Sequence, residues 1–159
     1  MADMLSVDEA LARMLATITT ATVERAPVLE CLGRVLAEDA VATEDNPPFD
    51  NSAMDGFAVR ASDLTDASEQ NPVTLPVIED IPAGIAPTQV VGAGTVSRIM
   101  TGAMLPEGAD AVVMVESTRA DGDNVALMEA PRLRQHIRPT GESVRAGDVV
   151  LEAGTMIQP

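Results

Sequence analysis

The chain has 159 residues, of which 46% are hydrophobic and 22% are charged, so it can form one ordinary domain or two small ones. Its net charge of −15 comes from 25 acidic residues against ten arginines, which argues against nucleic acids and anionic membranes as partners. Aromatic residues make up only 1% of the chain, which excludes a stacking platform for bases or sugars.

Cysteine usage and the first residues indicate a compartment. Cys31 is the single cysteine, so an internal disulfide cannot form, and we expect a reducing, cytoplasmic environment. The first ten residues have neither the basic region nor the apolar core of a signal peptide. No apolar run reaches the roughly 18 residues that span a bilayer, and we expect no membrane partner.

The first predicted element is a helix that begins with a capping box. Ser6 and Glu9 have the spacing that such a box requires. The β-branched run over residues 17–23 predicts the end of the helix. A helix this short with one apolar face must pack on the rest of the chain or on a second copy. That face, at helical spacing, consists of Val7, Leu11, Met14, Leu15 and Ile18.

Short elements follow the helix. We predict a helical turn over residues 27–33, an extended segment over residues 34–42, and a domain boundary near residue 46, where Pro47–Pro48 rules out regular structure. Beyond the boundary, alternation and turn residues predict short strands, with Pro76 at an edge or bulge position. The predicted strands cover residues 57–60, 73–79, 95–100, 111–116 and 124–128.

The last stretch, with a strand at residues 149–151 between two turns, predicts a β-hairpin that returns to the first segment. The predicted class is therefore α+β and β-rich. We expect residues 1–45 and 138–159 to form a discontinuous outer domain and residues 46–137 to form a small inserted barrel or sandwich. The chain stops straight after a strand-like segment, which favours a piece of a longer chain.

Two polar segments could carry chemistry. In the loop over residues 49–57, Asp55–Gly56 predicts a tight turn with a positive φ at glycine that holds a carboxylate toward a cleft. Its alternative is a surface loop rich in turn formers. The strand that ends at Thr101–Gly102 could present a hydroxyl and backbone N–H groups to an oxyanion. Its alternative is an ordinary passage from strand to loop.

Other polar residues give weaker signals. Thr140 with the neighbouring Arg138 and Gly141 could bind an anion or stabilise a hairpin. His136 is the single histidine, so a zinc site or a Ser-His-Asp triad is not credible. Cys31 lies in an apolar context and is expected in the core.

Three long strings, together with the S-V-D-E-A-L start of the helix, resemble the N-terminal half of molybdopterin molybdenumtransferase, the MoeA and gephyrin E-domain family. They are PPFDNSAMDGFAVR at 47–60, RIMTGAMLPEGADAVVMVE at 98–116 and RPTGESVRAGDVVLEAGT at 138–155. Their order and separation are also similar to those of the family, and the resemblance covers nearly the whole chain.

The resemblance implies an enzyme that inserts molybdenum from molybdate into molybdopterin, consuming adenylylated molybdopterin in a Mg²⁺-dependent step and releasing AMP. It also implies an elongated homodimer, with residues 1–45 and 138–159 as the elongated dimerisation domain. The middle β-rich domain over residues 46–137 would line the active-site cleft and face the pterin-binding domain of the other subunit. Asp55 and Thr101 would be catalytic, with Asp55 also a candidate Mg²⁺ ligand. The residues expected to bind substrate are Ser52, Gly56, Gly102, Glu142 and Ser143.

Two features qualify what the resemblance implies. Many family members carry an aspartate where this chain has Ser143. The family's pterin-binding and C-terminal domains follow the position where this chain stops, so we expect the chain alone to be inactive and to need a pterin-binding domain in cis or in trans. The alternatives are a non-enzymatic dimeric scaffold of the gephyrin E-domain type and a generic acidic cation-binding domain.

Overall fold

The computed structural model describes residues 4–19 and 21–159 and divides the chain into two compact units. One unit contains the described residues up to Ala40 together with Leu151–Pro159, and the other is Val41–Val150. In the described part of the chain, no helix is long and apolar enough to cross a membrane. The assignment of an outer dimerisation domain and an inserted cleft-lining domain stays a prediction.

The first unit begins with helix α1, Val7–Leu15. The predicted capping box is present, because the Ser6 hydroxyl accepts from the Glu9 N–H at 3.2 Å and the Glu9 carboxylate accepts from the Ser6 N–H at 3.0 Å. The helix ends before the β-branched run, as predicted, but it stops at Leu15, so the prediction that Ile18 belongs to its apolar face is wrong. No residue of α1 is buried, and Val7 is 84% exposed. The apolar face of the helix is therefore unpaired within the described residues.

The remainder of the first unit contains little regular structure. A single 3₁₀ turn, Val28–Glu30, confirms the predicted helical turn. Of the predicted extended segment, only strand β1, Ala40–Val41, is formed, and Val35 makes one isolated bridge with Met156. Cys31 is half-buried rather than in the core, with its thiol donating to the Pro27 carbonyl at 3.3 Å.

The predicted terminal hairpin is wrong in its pairing. Strand β9, Ile137–Arg138, pairs antiparallel with β2, Asn51–Ser52, whereas β10, Val149–Leu151, pairs with β1. The strand does return to an early segment, as predicted. The chain between β9 and β10 is paired with residues 42–46 instead, the Asn46 N–H donating to the Val144 carbonyl at 2.8 Å and the Gly147 N–H to the Ala42 carbonyl at 2.9 Å.

One six-stranded sheet, curved like half a barrel, makes up most of the second unit and confirms the β-rich α+β class. Its order is β6-β3-β5-β4-β8-β7, and all neighbours are antiparallel except the parallel pair β4 and β5. The five predicted strands are present, and β7 was missed. The strands are β3 Gly56–Val59, β4 Val73–Ile81, β5 Val96–Ile99, β6 Ala111–Met114, β7 Thr118–Asp121 and β8 Asn124–Leu127.

The position of Pro76 explains how β4 tolerates a proline. β4 pairs with β8 over Val73–Pro76, and its pairing with β5 begins only at Val77. Pro76 therefore has a neighbouring strand on one side only, so the missing N–H breaks no ladder hydrogen bond. The register also shifts between Val77 and Glu79, so the predicted edge or bulge position is confirmed.

Hydrophobic clusters cover both faces of the sheet and fix β3 between them. One cluster includes Phe57 and Val59, and the other includes Ala58, which is fully buried. Every residue of β3 is buried, as expected for a strand packed on both faces. The loop that leads into β3 is thus attached to a fully buried strand.

Candidate functional site

The Asp55 carboxylate and Thr101 are in direct contact. Asp55 lies just before β3, and Thr101 lies two residues after the end of the neighbouring β5. The Oδ1 atom of Asp55 accepts hydrogen bonds from both the N–H and the hydroxyl of Thr101, each at 2.7 Å. Both residues are exposed. The structure therefore presents a carboxylate at the protein surface in a fixed orientation.

The pKa of Asp55 lies below its ordinary value of 3.8. The Thr101 N–H is the main cause, followed by the Thr101 hydroxyl, because both donate to the ionised form; the positive charge of Arg98 lowers the pKa further. The carboxylate is thus held in its anionic form at neutral pH and can accept a cation or a proton donor.

Glycine at position 56 is explained by close packing against β6 and not by the turn that the sequence predicts. Its φ is not positive, so the predicted left-handed glycine turn at Asp55–Gly56 is wrong. A Cβ at this position would lie 2.0 Å from the carbonyl oxygen of Val113 on β6. Because β3 and β6 approach so closely here, glycine is required by backbone packing. A direct contact between Gly56 and a substrate stays a prediction.

The turn that carries Thr101 is bonded to the loop that carries Asp55. The Gly102 N–H donates to the Ser52 carbonyl at 2.8 Å, and the Ser52 N–H donates to the Ala103 carbonyl at 3.0 Å. Gly102 has φ +80°, a left-handed conformation that favours glycine. These paired bonds hold Asp55 opposite Thr101.

Ser52 and Gly102, both predicted to bind substrate, lie beside this pair but differ in access. Ser52 is fully buried, and its hydroxyl accepts from the Met54 N–H at 3.2 Å and donates to the Met54 carbonyl within the same turn. Gly102 is exposed. Contact with substrate stays a prediction for both, and the geometry of Ser52 favours a role in shaping the loop.

Asp50 is a second carboxylate held by a threonine, and the sequence patterns did not single it out. Its Oδ1 accepts from the Thr140 N–H at 2.8 Å and the Thr140 hydroxyl at 3.1 Å, and its Oδ2 accepts from Arg134 at 2.8 Å. The Thr140 N–H is the main reason that the pKa of Asp50 is lowered from 3.8, with Arg134 next. One loop thus places two carboxylates, each on a Thr-Gly turn. A sequence signal for this second pair exists, because the dipeptide Thr-Gly occurs only twice in the sequence, at residues 101–102 and 140–141.

Glu142 and Ser143 lie next to the second of these turns. The Glu142 N–H donates to the Pro139 carbonyl at 3.1 Å, and the Ser143 N–H donates to the Asn46 carbonyl at 2.9 Å. Both residues are exposed, and no contact joins either of them to Asp55 or Thr101 among the described residues. Their role in substrate binding stays a prediction.

Asp55 offers one oxygen for a cation. Within residues 4–19 and 21–159, no three histidine, cysteine or acidic side chains are grouped so that they could hold a metal ion. The Thr101 donors both bind Oδ1 of Asp55, and Oδ2 of this exposed residue accepts no hydrogen bond from another described residue. Mg²⁺ is commonly held by one or two carboxylates together with water and ligand phosphates. The residues therefore fit a Mg²⁺ ion held mainly by a phosphorylated ligand.

The carboxyl groups with lowered pKa predict a stability that falls in acid. For each of them the folded pKa lies below the unfolded one, so its contribution is present above the unfolded pKa and is lost as pH falls through the folded pKa. We expect urea midpoints to fall below about pH 4. In an NMR titration, the Thr101 amide should follow Asp55 with a midpoint below 3.8. The groups are Glu9, Asp50, Asp55 and Glu79.

An Asp55→Asn chain is the control for that titration, and its Thr101 amide should no longer respond in this range. A Thr101 midpoint at or above 3.8 in the parent chain would contradict the hydrogen-bond geometry at this pair.

Comparison with known proteins assigns the chain to a family. Residues 5–159 match the family described as the MoeA N-terminal region (domain I and II). The match covers nearly the whole chain and includes both Thr-Gly turns and both carboxylates. The chain belongs to this family.

Similar proteins carry the name that the family suggests. The chain is 50% identical over 133 residues to molybdopterin molybdenumtransferase 2 of Mycobacterium tuberculosis, covering 84% of this chain and 33% of the relative. It is 42% identical over 157 residues to molybdopterin molybdenumtransferase of Bacillus subtilis, covering 96% of this chain and 36% of the relative. The chain thus spans about a third of the length of these curated relatives.

Solved structures agree with the fold. A molybdopterin biosynthesis moeA protein from Pyrococcus horikoshii superposes with a TM-score of 0.84 at 32% identity, covering 98% of this chain and 40% of that protein. A second crystal structure described in the same way, from Pyrococcus horikoshii OT3, gives a TM-score of 0.82 at 44% identity over 86% of this chain and 36% of that one. The similarity therefore extends over both compact units of the chain.

Proposed function

We propose that the chain forms one wall of the active-site cleft of a molybdopterin molybdenumtransferase, which uses molybdate and adenylylated molybdopterin as substrates. The observation that carries this proposal is the exposed Asp55 carboxylate held on Thr101 by two hydrogen bonds of 2.7 Å. A carboxylate fixed in this way keeps its orientation without the cost of reorganisation during a reaction.

The two residues have distinct roles in this proposal. Thr101 gives both its N–H and its hydroxyl to Asp55, so it positions the carboxylate instead of donating to substrate oxygens as the sequence suggested. The second oxygen of Asp55 is not used by Thr101, so it can hold a Mg²⁺ ion brought by the phosphorylated substrate. Such an ion would neutralise negative charge on the phosphate.

The negative charge of the chain indicates that another domain supplies most of the positive groups that bind the substrates. At −15 the chain repels anionic substrates such as molybdate and a phosphorylated pterin. Most of the positive groups that bind them would come from a pterin-binding domain, supplied in cis or in trans. By itself, the chain is expected to be inactive.

We further propose that α1 joins two copies of the chain. Its apolar face is exposed along its length, Leu11 being 51% exposed and Met14 61% exposed. We expect Leu11→Arg to shift the chain from dimer to monomer in analytical ultracentrifugation, because a buried charge at an apolar interface is costly. The unfolding midpoint of the monomer should change little, since no residue of α1 is buried in the chain.

Ala16→Arg is the matched control for self-association. Ala16 follows the last residue of α1 on the side opposite Leu11, so the same charge there should leave the dimer intact. If the parent chain sediments as a monomer at high concentration, or if both variants dissociate equally, α1 is not the dimer interface.

The exposed face of α1 also supports a second candidate, a dimeric scaffold without enzymatic activity. This candidate shares the dimer prediction but assigns no catalytic task to Asp55. The two proposals therefore differ in whether the chain supports molybdenum insertion when the rest of the enzyme is present.

A chimera tests the proposed function. The matched N-terminal region of the Bacillus subtilis relative is replaced by this chain, which is 42% identical to it. We expect the chimera to form molybdenum-loaded molybdopterin from molybdate and adenylylated molybdopterin, and the truncated relative to form none. A second chimera on the Mycobacterium tuberculosis relative, 50% identical, guards against mismatched domains. Two folded, dimeric chimeras without activity would overturn the enzymatic proposal and favour the scaffold.

A further inference from the structure

A groove of about 610 Å³ opens on the face of the sheet that carries the first hydrophobic cluster. Side chains from five strands contribute to it, and Phe57 and Val125 join its floor to the buried cluster. Its volume lies in the range typical of small-molecule sites. The residues that line it include Arg98, Val115, Thr118, Ala120, Asp123 and Asn124.

Arg98 is the single cationic side chain among the described residues that line this groove. It lies on β5 opposite Phe57 and is half exposed, with 49% of its side chain accessible. Its nearest acidic partner is Asp80, at 3.6 Å. An exposed ion pair at that distance contributes little, so most of the guanidinium donors remain available to an anion. Arg98 can therefore bind a phosphate in bidentate geometry.

The groove borders the carboxylate of the candidate site. Val115, in one wall of the groove, donates its N–H to the Asp55 carbonyl at 3.0 Å. Arg98 is close enough to Asp55 for its charge to favour the carboxylate. A ligand phosphate on Arg98 would thus lie on the same side of the sheet as Asp55, where a Mg²⁺ ion could bridge the two.

The far end of the groove has a different character. Asp123 and Asn124, in the turn between β7 and β8, line it and bring acceptor oxygens that a phosphate does not satisfy. Small side chains, such as Ala120, leave room between this end and Arg98. The arrangement suits a ligand with an anionic group at one end and N–H donors of a heterocycle at the other.

We propose that this groove binds a phosphorylated heterocyclic ligand, with Arg98 holding the phosphate and the turn at Asp123–Asn124 receiving the ring. The ligand would be one substrate or product of the insertion reaction, and in that respect the inference rests on the proposed function. Binding itself is a property of this chain and is measured without turnover.

The test is an NMR titration of the labelled chain with AMP, adenosine and inorganic phosphate. We expect AMP to shift amides that line the groove, among them Val115, Ala120 and Asn124. Arg98→Gln should weaken AMP binding about tenfold, as expected when a hydrogen-bonded charge is lost. Adenosine and phosphate should each bind more weakly than AMP, because each meets one end of the groove.

Arg119→Gln is the matched control. Arg119 lies on β7 between Thr118 and Ala120, which line the groove, so its own side chain projects from the opposite face. AMP should bind this variant as tightly as the parent chain. If Arg98→Gln perturbs the fold, Arg98→Lys decides the matter, because it keeps the charge and should bind AMP with intermediate affinity.

Several results would overturn the inference. These are AMP shifts outside the groove, equal losses in the two arginine variants, adenosine binding as tightly as AMP, or phosphate binding as tightly as AMP. If the chain binds AMP but the chimeras are inactive, the proposed function is wrong and the proposal that the groove binds a phosphorylated heterocycle stands. If the chimeras are active but the chain does not bind AMP in the groove, only the proposal about the groove is wrong.

Discussion

A Gly56→Ala chain should lose about 3 kcal/mol of folding free energy, which is a large fraction of the roughly 5–15 kcal/mol that stabilises a typical domain. The added methyl group would lie 2.0 Å from the Val113 carbonyl oxygen and 2.9 Å from its carbonyl carbon. Both atoms belong to the backbone of β6, which is paired to β3 over four residues. Relief would require the two strands to separate at the centre of the core.

Urea unfolding followed by circular dichroism measures this effect. Gly92→Ala is the matched control, because Gly92 has no positive φ and its nearest contact to a new Cβ is the Thr95 hydroxyl at 3.9 Å. We expect Gly92→Ala to unfold at the parent midpoint. If Gly56→Ala also unfolds at that midpoint, the close approach of β3 and β6 is wrong.

Asp55→Asn should lower the insertion rate of the chimera about 100-fold while leaving its fold intact. Asparagine has the same shape and can still accept from Thr101 through its amide oxygen, so the loop should keep its conformation. It lacks the negative charge, and its second polar atom is a donor that repels a cation. The rate of molybdenum insertion at saturating molybdate and adenylylated molybdopterin is the measurement.

Asp66→Asn is the control for the charge change. Asp66 is exposed in the same unit, and its carboxylate makes no hydrogen bond to another described residue. The control should keep the parent rate. Equal rates in the Asp55 and Asp66 variants would remove Asp55 from the catalytic machinery without touching the family assignment.

Local signals predicted the elements that local interactions determine. The capping box at Ser6 and Glu9 forms as expected because both partners lie within one turn of helix. Alternating apolar residues predicted the strands that pack against a core. Strand β7, Thr118–Asp121, has three exposed residues out of four and therefore shows no alternation. It is a strand because β8 pairs with it, which its own residues do not reveal.

The site was predicted in composition but not in geometry. The sequence drew attention to Asp55 and Thr101, and the structure adds that one holds the other over a separation of 46 residues. Asp50 was missed because its partners, Thr140 and Arg134, are 90 and 84 residues away. The reason for glycine at position 56 was also long-range, since the neighbour that excludes a side chain lies on β6.

The most direct test of the central claim is a double-mutant cycle on Asp55 and Thr101 in the chimera. We expect Thr101→Val, which removes the hydroxyl donor, to lower the rate only while Asp55 is present, so that the double variant is no slower than Asp55→Asn alone. Losses that multiply would show that Thr101 acts independently of the carboxylate and would contradict the claim that it serves to position Asp55.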